Sequence, residues 1–136
     1  MTQIATTIEQ SKKLIELGLS ADTADMHYSK WDNDEEEEYH LKCGGFPKLD
    51  FKYAKNIPAW SLSKLLELMP LFIVINGKES SKLQMKKVDE EGNFGVYYWV
   101  NQENNVIKGG ITPLDAAFEM MCYLLENKMI QYGTGK

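Results

Sequence analysis

The stretch LQMKKVDEEGNFGVYYWVNQENNVIK, residues 83–108, decides the fold. Residues 83–88, 94–101 and 105–108 read as strands, separated by the short polar connectors 89–93 and 102–104. Connectors this short predict antiparallel pairing, because parallel strands need a crossover of about a dozen residues or more. Immediately upstream, residues 71–75 form a further β-branched and aromatic run ending in Asn76-Gly77, a pair suited to a tight reversal. The expectation is an antiparallel meander of about four or five strands. Within its central member Phe94, Val96, Tyr98 and Val100 alternate with Gly95, Tyr97, Trp99 and Asn101, so aromatic side chains point to both sides. The more uniformly apolar side takes the helices, and Trp99 is expected beneath a second layer or shared with a partner.

Helical signals flank this run. Thr6 followed by Glu9 fits a capping box, Ile8, Ser11, Leu14 and Ile15 form one stripe, and Gly18 suits a helix end, giving a helix over about 7–17. Ser20 caps a short turn over 21–26. Ser61 caps a second helix, with Trp60 and Leu65 at the hydrophobic-staple positions and Leu62, Leu65, Leu66 and Met69 at helical spacing before Pro70 stops it. Thr112, Pro113 and Asp115 open a third, whose stripe is Leu114, Ala117, Phe118, Met121 and Leu125. Trp60, Leu65, Leu66, Phe118 and Met121 are the expected core. Residues 39–43 and 49–53 read as extended, turned by Gly44, Gly45 and Pro47, with their pairing open. Helices flanking short-linked strands make the class α+β, a single domain over 1–136 with the sheet packed against about three helices.

Composition narrows the function. Apolar residues at 43% and charged residues at 26% are ordinary globular usage. Fifteen Lys and Arg against 20 Asp and Glu give −5, the wrong sign for binding phosphate backbones or anionic membranes, so neither nucleic acid nor membrane is expected as partner. Lys82, Lys86 and Lys87 are a local basic cluster, read as a solvated face. Two distant cysteines, Cys43 and Cys122, suit a reducing compartment, and the longest apolar run, 71–75, is too short to span a bilayer. A cytoplasmic location follows. Residues 32–38, DNDEEEE, are self-repelling and read as an exposed acidic loop.

No constellation makes a persuasive catalytic site. His40 and Cys43 beside the acidic loop resemble part of a zinc site, but a closed site wants four ligands and only His27 and Cys122 remain. The acidic loop lacks the glycine-punctuated spacing of a calcium loop. Gly109-Gly110 before a helix resembles an anion-binding turn, yet Asp115 sits in that first turn and repels phosphate, so the glycines are read as joining strand to helix. Asp115 and Glu119, one turn apart, read as a solvated helix face. No metal, cofactor or catalytic residue is assigned. The candidate interaction surface is Tyr97 and Trp99 together with Asp34, Glu35, Glu36, Glu37 and Glu38.

The segments TTIEQSKKLIELGLSADTADM (6–26), IPAWSLSKLLELMP (57–70) and TPLDAAFEMMCYLLEN (112–127) resemble, in that order, a family of small uncharacterised proteins from phages and mobile elements of gut bacteria. The resemblance covers over a third of the chain and implies a phage or mobile-element context in a bacterial cytoplasm. It brings no activity or site residues. Two functions stay open: a non-enzymatic accessory protein that engages a protein partner, a homodimer being one form of this, or a small-molecule-binding or weakly enzymatic domain with a pocket between sheet and helices. DNA mimicry ranks below both, because it needs a long array of carboxylates and the chain has one acidic run.

Overall fold

Asn76 and Gly77 adopt φ of 50° and 81°, the left-handed pair a two-residue hairpin requires. Between them β4 (Val74–Ile75) and β5 (Lys78–Glu79) close a two-stranded ribbon. The computed structural model, which describes residues 4–31, 39–44, 54–87 and 93–129, places six elements before this ribbon and four after it. The ribbon does not join the sheet that follows it. Past its two ladder pairs, Ser80 N–H donates to the Ile73 carbonyl (2.8 Å), while Ile73 N–H donates to the Ser80 side-chain Oγ (3.0 Å).

Among the described residues the expected single meander is replaced by three small antiparallel sheets, β2-β1-β3, β4-β5 and β6-β7-β8. The first is formed by β1 (Met26–Trp31), β2 (His40–Cys43) and β3 (Ala54–Ala59), and the third by β6 (Gln84–Lys87), β7 (Phe94–Trp99) and β8 (Asn105–Gly110). The helices are α1 (Ile8–Glu16), α2 (Leu62–Leu68) and α3 (Pro113–Glu126). Contacts gather the chain into two compact units, one from residues up to Lys64 and one over Leu65–Ile130. The acidic residues 32–38 and the extended segment 49–53 lie outside the described residues.

In the first unit β1 is the central strand, with Met26 opposite both Cys43 and Ala59. Met26, Ala59 and Ala5 form a buried cluster against which Tyr28 and Leu41 pack. β1 and β3 were not legible as strands: Met26–Trp31 mixes Met, Tyr and Trp with His, Ser and Lys, and reads as the tail of the preceding turn. That turn is a short 3-10 segment, Ala21–Thr23, capped by Ser20.

The capping box of α1 sits one residue later than Thr6 and Glu9. Thr7 Oγ1 accepts from Gln10 N–H (3.1 Å) and Gln10 Oε1 accepts from Thr7 N–H (3.0 Å). Thr6 is occupied elsewhere. It is fully buried: its N–H donates to the Trp60 carbonyl (2.9 Å), its Oγ1 accepts from Trp60 N–H (3.1 Å) and lies 2.7 Å from Ser11 Oγ, and its carbonyl accepts from the Tyr28 hydroxyl (2.8 Å). The Trp60 indole N–H donates to Thr23 Oγ1 (2.9 Å). Asp25 accepts both the N–H and the hydroxyl of Ser61 (2.9 and 2.5 Å), and Ser61 Oγ caps α2 by accepting from Lys64 N–H (3.2 Å). Ser11 and Leu14 are the buried positions of α1, whereas Ile15 is 41% exposed, so its apolar stripe is narrower than its spacing suggests.

In the second unit α3 covers one face of β6-β7-β8. Val96, Tyr98 and Val106 are buried, as are Leu114, Ala117, Met121 and Leu125, while Ala116, Met120 and Leu124 widen the helix's buried side. Phe118 is only partly buried, at the margin of that broader face, and so is Leu66 of α2; Leu65, Leu68 and Met69 take the inward positions. Both depart from the expected core, while Trp60, Leu65 and Met121 are buried as expected. Thr112 Oγ1 accepts from Asp115 N–H (3.0 Å) with Pro113 at the helix start. A Cβ on Gly110 would lie 2.7 Å from Ala116 N and from Asp115 Cβ, so the strand end runs directly against the helix's first turn. This close approach explains the glycine without any bound anion.

Three outcomes follow for stability. Thr6→Val strands the buried Trp60 N–H and is expected to lower urea-unfolding stability by about 1–3 kcal/mol; Gly110→Ala, which must push α3 from the sheet, by a similar amount of about 1–3 kcal/mol. Burial raises the Tyr28 hydroxyl above its ordinary value of 10.0. The neutral phenol is thus favoured in the fold, and its stabilising contribution is complete below pH 10 and lost as pH climbs through the higher folded value. Tyr28→Phe should flatten that alkaline limb in pH-dependent unfolding, and an unchanged limb would remove Tyr28 as its source.

Candidate functional site

Register across the third sheet sorts its residues into two faces. Tyr97 stands opposite Gln84 on one side and Ile107 on the other, and Trp99 opposite Asn105. Directly paired residues share a face, so Gln84, Tyr97, Ile107, Trp99 and Asn105 lie on the side away from Val96, Tyr98 and Val106. Lys86 belongs to this outer side too, in a cross-strand row with Gly95 and Gly109. That row carries one side chain where its neighbour carries three, which leaves a trough beside Tyr97 and Ile107.

The trough has a volume of about 200 Å³ and is lined by Lys86, Tyr97, Trp99 and Ile107. Ile107 is 51% and Trp99 38% exposed, while Tyr97 is half-buried. The Lys86 ammonium lies 5.3 Å from the centre of the Tyr97 ring, a cation–π contact of about 0.5–1 kcal/mol at an exposed site. The Tyr97 hydroxyl donates to Gln84 Oε1 at 2.8 Å. Ser81 fixes the backbone below the indole: its N–H donates to the Trp99 carbonyl (2.7 Å) and its Oγ accepts from Trp99 N–H (3.3 Å). The aromatic platform is thus held on the central strand of its sheet, with the Tyr97 ring oriented through its hydroxyl and the Trp99 backbone pinned by Ser81.

Of the residues singled out from sequence, the structure brings Tyr97 and Trp99 together on this face. Asp34, Glu35, Glu36, Glu37 and Glu38 lie outside the described residues. Ile107 and the placement of Lys86 were missed, because both need the strand register; Ile107 sits between Val106 and Lys108, and that alternation is the signal that marks it as outward once Val106 is inward.

The imagined metal ligands separate. His40 and Cys43 are an odd number of residues apart on β2, so they project from opposite faces, Cys43 with Met26 and His40 with Ser29. Among the described residues no group of three or more His, Cys, Asp or Glu side chains could hold a metal ion. Cys43 is exposed and Cys122 buried. Glu119 is exposed and Asp115 half-buried, as on a solvated helix face. Asp25 and Ser61 pair closely, but as the cap of α2, with no imidazole in their hydrogen bonds. Among the described residues no helix is long and apolar enough to cross a membrane. Compared with protein-family models, curated proteins and solved structures, the chain matches none of them.

The exposed indole has a spectroscopic consequence. In a Trp31→Phe background, acrylamide should quench a fraction of the emission that disappears on Trp99→Phe, leaving the protected signal of Trp60. Equal quenching before and after the second substitution would place Trp99 in the interior.

Proposed function

We propose that this chain is a non-enzymatic accessory protein that acts by binding another protein, with the Tyr97–Trp99 face as its contact surface. The observation that carries this reading is a Trp, a Tyr and an Ile side by side on a sheet face, with Trp99 and Ile107 partly in water. Trp and Tyr supply large contact area at small entropic cost and are enriched at binding hot spots. The trough's volume of about 200 Å³ favours a side-chain anchor over a metabolite, since small-molecule pockets run from roughly 300 to 1,000 Å³. A ligand pocket between sheet and helices draws less support, because Val96, Tyr98, Ala117, Met120 and Met121 are all fully buried there. The resemblance in residues 6–26, 57–70 and 112–127 adds the setting: a phage or mobile-element product in a bacterial cytoplasm, meeting a host protein.

Photo-crosslinking tests the reading. Benzoylphenylalanine in place of Ile107, irradiated in bacterial lysate, should give a protein adduct of defined mass that is lost on Trp99→Ala, while the same probe in place of Glu119 gives none. An adduct indifferent to Trp99, or equal from both positions, would overturn it.

A further inference from the structure

The outer face of β6-β7-β8 combines aromatic and aliphatic surface with a single sign of charge. Among its described strand residues Lys86 is the one ionised side chain; the others are Gln84, Tyr97, Trp99, Asn105, Ile107 and glycines. In a chain of net charge −5 this local sign is inverted. A ligand entering the trough meets the Tyr97, Trp99 and Ile107 walls first and an ammonium group at the rim.

The size of the surface limits what occupies it. The exposed parts of Trp99 and Ile107 amount to on the order of 200 Å², against about 800 Å² that each partner contributes to a stable specific interface. A second copy of the chain pressed face to face would therefore gain too little here, and would set Lys86 against Lys86. A short segment with one apolar anchor fits both limits. Its side chain fills the trough, and a neighbouring carboxylate meets Lys86, whose side chain is exposed and lies over Tyr97.

We infer that the groove bounded by Lys86, Tyr97, Trp99 and Ile107 receives a peptide segment of another protein in which a leucine-like or aromatic anchor is flanked by acidic residues. This rests on the contact-surface reading above and specifies its partner. The rim charge supplies specificity and encounter rate, while the aromatic walls supply most of the affinity.

The test uses the whole chain and follows the Trp99 indole N–H signal by NMR, assigned through its loss in Trp99→Phe. Four probes are titrated: the capped peptides Glu-Glu-Leu-Glu-Glu, Lys-Lys-Leu-Lys-Lys and Glu-Glu-Ser-Glu-Glu, and an octamer of thymidylate. The Glu-Leu peptide should bind most tightly and weaken with salt. Lys86→Glu should weaken it about fivefold while improving the lysine peptide, and Ile107→Ala, read on the same signal, should weaken both leucine peptides. Preference for the lysine or serine peptide, or indifference to Lys86→Glu, overturns the partner chemistry. Tighter binding of the oligonucleotide assigns the platform to base stacking and overturns it too. A monomer–dimer equilibrium by sedimentation that is abolished in Trp99→Ala would hand the groove to a second copy, the third overturning result. If the Trp99-dependent crosslink from position 107 persists while the acidic peptide fails, the partner's chemistry is wrong and the contact-surface reading stands; loss of that dependence removes both.

Discussion

Tyr98 is the side chain from which the functional face takes its direction. It is fully buried, and its hydroxyl donates to the Pro70 carbonyl at 2.5 Å, so both its ring and its polar tip are fixed. Because a strand alternates strictly, fixing Tyr98 inward under α3 sends Tyr97 and Trp99 outward. A slip of one residue would bury Trp99 and Tyr97 and expose Val96 and Tyr98. Gly110 makes a second fixed point at the other end of β8, where α3 approaches so closely that no side chain fits. The outward platform is thus a consequence of core packing on the opposite face.

The first unit is organised by a different device, a chain of buried hydroxyl and backbone groups centred on Thr6 and Trp60. A backbone bond from Thr6 to Trp60 and a return bond from the Trp60 N–H to Thr6 Oγ1 tie the segment before α1 to the end of β3, and the indole reaches the 3-10 turn through Thr23. Every polar atom of Thr6 has a partner, which is what makes its full burial tolerable. Such a network specifies position more than it adds net stability, since each bond replaces one to water. Its disruption is costly for the opposite reason: it leaves a donor without either.

What was legible in the sequence was local. Ser61, Thr112-Pro113 and Asn76-Gly77 announced helix starts and a turn because their chemistry is completed within a few residues, and β6, β7 and β8 followed from apolar runs with short connectors. What was not legible depended on distant partners. Thr6 looked like a helix cap because its true partner, Trp60, lies 54 residues away. β1 and β3 pair with each other across a long separation and carry mixed polarity, so no period marked them. The Ser80 side chain bonding back to Ile73 beside the β4-β5 ribbon is likewise an interaction no pattern of hydrophobicity records. The interaction face was half legible: alternation along β7 exposed Tyr97 and Trp99, while Lys86 and Ile107 joined them only through register.

The register puts Tyr97, Trp99 and Ile107 on the outer face and Val96, Tyr98 and Val106 in the core. A soluble paramagnetic agent read out on assigned methyl and aromatic NMR signals measures it residue by residue. Strong relaxation enhancement is expected for the Ile107 methyls and the Trp99 ring, with Val96, Val106 and Tyr98 protected. Enhancement of Val106 or Val96 with protection of Ile107 and Trp99 would mean the opposite face is outward and would contradict it.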